Sequence, residues 1–365
     1  MGKSLWDRVF HRSGPPEQPK TVADEGSDSL RPADLIEAIG EAVVVIGAGG
    51  EVELANGLAA ELFGVSRPVV GRQYEQVITK AVLLDRIAGG LRGEPWHGPV
   101  HLSGPAGAVI CEVSVVPIPG RSRVVLTLRD ISELANAVQL KTDFVANASH
   151  ELRTPIAAIK AAAETLELAT EDEAVRPRLV SMVQSHAGRL EDLVTDLLDL
   201  SRLESDRSSP ELVVVDMQGV STSLVDGLRG LCRARRVEIA FEFSPELGRV
   251  VSDPKLLELI LRNLIENAAK FTAEGTEVRV IAEPMEAGCR FRVIDQGPGI
   301  PLADQQRIFE RFYQVDPARS GQHRGTGLGL AIVKHAVRLL GGEVRVESVW
   351  QQGTTMIVEL PGGGG

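Results

Sequence analysis

The chain has 365 residues, enough for two or three domains, and its 43% hydrophobic and 24% charged content is that of ordinary soluble protein. A net charge of −11 argues against nucleic acid as a direct partner, because phosphate contact asks for a basic face. Cys111, Cys232 and Cys289 are too scattered for a zinc site or a disulfide framework, which points to a reducing compartment. No run approaches the ~20 apolar residues of a transmembrane segment, and the N-terminus lacks the apolar core of a signal peptide, so a cytoplasmic protein is expected.

Residues 1–30 are polar and rich in Pro, Gly, Ser and charge, the composition of a disordered tail. From 31 to 132 the pattern predicts a small α+β domain. Ala42–Ile46 reads as a buried strand, Gly47–Gly50 as a turn, Val52–Ala55 as the antiparallel mate, and Asn56–Phe63 as a short helix ending at Gly64. Further strands are predicted at Val100–Leu102, Val109–Val116 and Val124–Leu128. His97 and His101 stand among glycines and prolines and read as loop residues.

Residues 133–206 read as two amphipathic helices. On the first, Val138, Val145, Leu152, Ile159 and Leu166 recur at a spacing of seven and form an apolar seam. This register turns His150 away from partner helices and toward water. Glu151 beside it can accept a proton from the ring or hold its tautomer, and Thr154 lies one turn further on the same face. Pro155 should kink or loosen the helix. A turn is expected at 169–173, followed by a second seam of Leu179, Val183, His186, Leu190, Leu193, Leu197 and Leu200. Two such helices cannot bury their faces alone, so an antiparallel four-helix bundle formed by a homodimer is expected.

After a polar linker from Ser205 to Pro210, residues 211–361 mix strands with helices near Met217–Arg233, Lys255–Lys270, Leu302–Phe309 and Gly329–Leu340. A sheet covered on one face by helices is predicted. Asn263, Asn267 and Lys270 share one helical face, where the two amides offer oxygens to a hydrated Mg²⁺ and the lysine offers charge to a phosphate. Asp295-Gln-Gly297-Pro-Gly299 follows a strand, and a carboxylate there can accept the exocyclic amine of adenine. Gly325-Thr326-Gly327-Leu328-Gly329 opens a helix whose backbone N–H groups can cradle phosphates. Between them, Arg311, Phe312 and Tyr313 and the charged stretch after them read as a lid.

The run Ser149-His-Glu-Leu-Arg-Thr-Pro155 resembles the phosphoacceptor box of sensor histidine kinases. The four C-terminal pieces resemble, in order, the N, G1, F and G2 boxes of the ATP-binding domain of those kinases, a GHKL α/β sandwich shared with DNA gyrase, heat-shock chaperones and MutL proteins. "ELANGLAAELFGVSRPVVG" and the exit "LRDISEL" resemble a PAS domain, and "FVANASHELRTP" with "GTGLGLAIVKH" is most similar to phosphate-regulon-type sensors. The resemblance implies a multidomain α+β kinase. ATP·Mg²⁺ would phosphorylate His150 with Glu151 as base, and the phosphoryl group would pass to the receiver domain of a response regulator. The pattern Glu151-x-x-Thr154 implies regulator phosphatase activity as well. ATP-hydrolysing relatives carry glutamate where Asn263 stands, which favours phosphotransfer over hydrolysis. Phosphate-regulon sensors commonly have arginine where Gln314 stands, so Arg311, Arg319 and Arg324 are all candidates for the γ-phosphate. The alternatives are a GHKL-type ATPase clamp and a non-catalytic scaffold.

Overall fold

The computed structural model describes residues 31–66, 68–104, 107–168, 175–204, 209–247, 250–315 and 325–362. The expected tail at 1–30, the turn at 169–173, most of the linker after Glu204, and Arg319 and Arg324 lie outside them. The chain divides into two compact units, Met1–Leu140 and Lys141–Gly365.

The first unit holds α1 (Pro32–Glu37), β1 (Ala42–Ile46), β2 (Val52–Ala55), α2 (Gly57–Phe63), α3 (Tyr74–Val77), α4 (Ala81–Leu91), β3 (Trp96–Gly104), β4 (Gly107–Pro117) and β5 (Val124–Asp130). The strands form one antiparallel sheet in the order β2-β1-β5-β4-β3. Asn56 fixes the start of α2. Its side chain accepts from the Ala59 and Val43 N–H groups and donates to the Glu41 carbonyl, so one buried amide ties helix, strand and preceding loop together. Gly64 closes that helix in the left-handed conformation at φ 63°.

His97 and His101 lie on β3, not in a loop. This strand is the sheet edge, the position in a sheet where proline is tolerated, and the pairing with β4 runs through Pro99. His97 Nε2 lies 3.2 Å from Glu112 on the neighbouring strand.

Helix α5 (Ser132–Leu168) crosses the boundary between the units, and α6 (Val175–Leu203) follows it. The second seam is as expected, with Leu193 and Leu200 buried and the other members half-buried. On α5, Leu152, Ile159 and Leu166 are half-buried, whereas Val138 and Val145 are 58% and 57% exposed. α5 is continuous through Pro155, which has no N–H to give the Glu151 carbonyl; one residue earlier the Thr154 hydroxyl donates to the His150 carbonyl at 3.2 Å.

The rest of the second unit comprises β6 (Val213–Val215), α7 (Met217–Arg235), β7 (Glu238–Phe243), β8 (Val250–Ser252), α8 (Pro254–Phe271), β9 (Glu277–Met285), β10 (Gly288–Asp295), α9 (Gly329–Leu339), β11 (Glu343–Val349) and β12 (Gly353–Pro361). Its main sheet runs β11-β12-β10-β9-β7, with only the β7–β9 pair parallel, and β6 pairs with β8 separately. The inner face carries Val278, Val280, Ala282, Phe291 and Val293 against the apolar stripes of α8 and α9. The outer face carries charge pairs, Arg279 with Glu242, and Arg290 and Arg345 with Glu359. This alternation is the period-2 signal that made the strands legible.

Helix α8 buries Leu257, Ile260, Leu261, Leu264, Ile265, Ala268 and Ala269, a stripe at steps of three and four. Each buried Leu or Ile contributes roughly 1.5–3 kcal/mol. Asp253 caps its start by accepting from the Lys255 and Leu256 N–H groups, with Pro254 in the first turn. The predicted helix at Leu302–Phe309 is a correction: only a 3-10 turn at Arg307–Phe309 forms. Leu302 is 84% exposed and Ile308 is the one buried residue of that turn, so the segment has no apolar stripe to hold a helix against the core.

Apolar residues of the hairpin also pack into the core of the C-terminal sheet. Leu193, Leu200 and Leu203 of α6 lie in one apolar cluster with residues of α8, α9 and the sheet.

Candidate functional site

His150 is exposed on α5. The Glu151 carboxylate meets Arg189 Nη2 of α6 at 3.2 Å, both side chains being largely covered, so the neighbouring carboxylate has a fixed position. The exposed imidazole and the Arg189-bound carboxylate are thus adjacent in the chain on α5.

A second cluster lies at the edges of α8 and α9. Asn263, Asn267 and Lys270 are half-buried along one side of α8, as their spacing predicts. Asn263 Nδ2 donates to the Leu259 carbonyl at 2.9 Å, which leaves its oxygen facing the start of α9. A Cβ at Gly329 would come 2.8 Å from Asn263 Oδ1, so a side chain there would displace the amide. Lys270 Nζ is paired with Glu266 at 3.1 Å.

The loop after β10 is tied to the end of α8. The Gln296 N–H donates to the Thr272 hydroxyl at 3.2 Å, and a side chain at Gly297 would sit 2.9 Å from the Phe271 carbonyl. Gly299 has φ +69° and passes so close to the Val349 carbonyl that a Cβ would lie 2.2 Å from it. Asp295 is held by the Gly297 N–H at 2.7 Å and the Thr354 backbone. Burial nonetheless pushes its carboxyl up to about 6, against the lowering effect of both bonds.

The third and fourth motifs close the ring. The Phe312 N–H donates to the Gly327 carbonyl at 2.8 Å, and Gln314 Nε2 donates to the Gly325 carbonyl at 2.8 Å. Phe312 takes φ +63°, uncommon for a side chain of its size, and Gly327 takes φ +73° against it. Four motifs spread over about 70 residues of chain thus form one continuous wall. Close backbone approaches at Gly297 and Gly327 bring the pieces together.

Residues 252–363 match the family model "Histidine kinase-, DNA gyrase B-, and HSP90-like ATPase", and residues 140–206 match "His Kinase A (phospho-acceptor) domain". The phosphate regulon sensor protein PhoR of Pseudomonas aeruginosa is 30% identical over 354 residues, 96% of this chain and 78% of that protein. The chain belongs to the sensor histidine kinases. The sensor-like histidine kinase SenX3 of Mycolicibacterium smegmatis is 35% identical over 241 residues, 66% of this chain. This family member spans 62% of the length of that SenX3 and 58% of the mycobacterial SenX3 proteins. The crystal structure of histidine kinase ThkA in complex with response regulator protein TrrA superposes with a TM-score of 0.52 over 90% of this chain and 98% of that one. At 20% identity it shares the fold.

The geometry also shows residues that sequence reasoning missed. Asp196 of α6 accepts from the Thr326 hydroxyl at 2.5 Å, and burial raises its carboxyl to about 6. Arg311 pairs with Glu204 and lies over the Phe144 ring at 5.4 Å, while Phe312 packs on the same ring at 5.7 Å. Tyr313 donates to Asp304 at 2.6 Å and Arg307 lies over its ring, which anchors the start of the lid segment. No local pattern marks Asp196 or Glu204, because their partners lie more than a hundred residues along the chain. Among the described residues no helix is long and apolar enough to cross a membrane.

Proposed function

We propose that this chain is a dimeric cytoplasmic sensor histidine kinase in which ATP·Mg²⁺ donates its γ-phosphoryl group to His150. The phosphoryl group then passes to an aspartate on a response-regulator receiver domain. The reading rests above all on an exposed histidine with a fixed carboxylate neighbour in the same chain as the four-motif wall. Asn263 and Asn267 would hold the metal, whose charge draws phosphate oxygens together. Lys270 and the N–H groups of Gly325, Thr326, Gly327, Leu328 and Gly329 would hold the phosphates, and Asp295 with Gly297 and Gly299 the base. Arg311, Phe312 and Tyr313 line the lid side, and Glu151 takes the imidazole proton. Transfer of this kind depends on positioning and charge neutralisation. The N-terminal unit is read as a PAS-like sensor, with strands joined directly to α5.

Dimerisation is supported by exposed apolar side chains along both helices, among them Val145, Ile156, Val180, Val194 and Leu198. A second copy would cover them in a four-helix bundle.

Lys270→Ala should weaken Mg²⁺–nucleotide binding at least about tenfold, since it removes a charged hydrogen bond, while the fold stays cooperative. Titration calorimetry beside a denaturant melt checks this, and unchanged affinity would remove Lys270 from the site. Thr154→Ala tests the phosphatase reading. With purified phosphorylated regulator and ADP, dephosphorylation should slow at least about tenfold, the scale of a lost water-orienting group, while His150 labelling continues near the wild-type rate. If both activities fall together, the bond from Thr154 to the His150 carbonyl makes it a helix-shape residue only.

A further inference from the structure

We propose that the Asp196 carboxylate is an internal stand-in for a nucleotide phosphate, holding the glycine loop closed in a docked, autoinhibited state. This rests on the nucleotide-site reading given above. Thr326 accepts from the Leu328 N–H at 3.2 Å, which uses its lone-pair side and leaves the hydroxyl proton for Asp196. The acceptor is therefore an anionic oxygen from a different helix, placed on the loop whose donors are the natural partners of an anion.

The surroundings of Asp196 carry the same signature. Lys270, the cation offered to phosphate, attracts it from α8, while Asp192 on α6 and Glu266 on α8 repel it. Lys270 is itself held by Glu266. Lys270 and the Thr326 hydroxyl, on two sides of the cleft, thus each meet a protein carboxylate. A half-desolvated carboxylate is costly unless its donors are good, so an incoming polyphosphate with its metal competes for the same donors with more charge.

The far end of the contact is clamped independently. Glu204 at the end of α6 pairs with Arg311 and lies 4.0 Å from His335 Nε2, beside the Phe144–Phe312 packing. Nucleotide binding would then release the α6 contact, coupling occupancy of the cleft to freedom of the catalytic wall.

The test is calorimetric titration of the full chain with ADP and Mg²⁺, comparing wild type with Asp196→Ala, Asp196→Asn and Glu204→Gln. Asp196→Asn keeps the side-chain volume, and Glu204→Gln opens the docked state without touching the glycine loop. Loss of a hydrogen bond to a charged group predicts roughly tenfold tighter ADP binding for the Asp196 variants and a smaller gain in the same direction for Glu204→Gln. Unchanged or weaker affinity in all three overturns the stand-in while wild-type binding upholds the nucleotide site. Absence of ADP binding in wild type and variants alike overturns the nucleotide site instead.

Discussion

His150→Gln should abolish incorporation of phosphate from ATP while leaving nucleotide affinity within about twofold of wild type. The side chain is exposed on α5, so its replacement opens no cavity, and such surface changes stay within about 0.5 kcal/mol of stability. Glutamine keeps a polar side chain at the position but offers no nitrogen nucleophile. All of the lost activity would then be chemical. Filter-binding with labelled ATP, run beside calorimetry, separates the two quantities. Label retained on the variant would place the acceptor elsewhere in the chain.

Asp295→Asn should weaken nucleotide binding by at least about tenfold and flatten its pH dependence. The carboxylate at the end of β10 is held by the Gly297 and Thr354 backbones, so the variant keeps shape and loses charge. An exocyclic amine donates to a carboxylate more strongly than to an amide oxygen. Burial raises the wild-type carboxyl to about 6, so the group is charged at pH 7.5 and takes up its proton as pH falls through that value. If the bound base favours the charged form, wild-type affinity falls by up to roughly tenfold per unit below about pH 6. The variant lacks this component, so the ratio of the two affinities should shrink with acid and removes the nucleotide's own titration from the comparison. A ratio constant from pH 7.5 to 5 would mean that Asp295 does not contact the base.

The strands of the C-terminal sheet were legible because one face is buried and the other carries charge, so Val278, Val280 and Ala282 alternate with Arg279 and Ile281 in a readable period. Helix α8 was legible for the same reason at a period near 3.6, with Asp253 and Pro254 marking its start. Helix α4 was not. Gly89 and Gly90 lower its intrinsic helicity by roughly 1 kcal/mol each, yet Leu83 and Ile87 are fully buried and tertiary packing decides. Gly90 is there for closeness: a Cβ would meet Val115 Cγ1 at 2.6 Å. At Leu302–Phe309 the error ran the other way, as scattered apolar residues suggested a helix that the core never covers.

The site divides along the same line. The asparagines, the lysine, Asp295 and the glycine loops announce themselves by spacing, because backbone geometry restricts which residues fit. The carboxylates facing them from α6 do not. Asp196 stands beside the seam of an ordinary amphipathic helix, and only the docking of that helix on α9 gives it a partner. Glu151 was read as a base from its place beside His150; its pairing with Arg189 is a tertiary fact.

The most direct measurement is the chemical stability of the label after the full chain is incubated with γ-labelled ATP and Mg²⁺. A phosphoryl group on the imidazole nitrogen of His150 is lost in acid and survives alkali, and that is the expected result. Label that survives acid, or steady ATP turnover with no labelled protein at all, would contradict histidine phosphotransfer as the function of this chain.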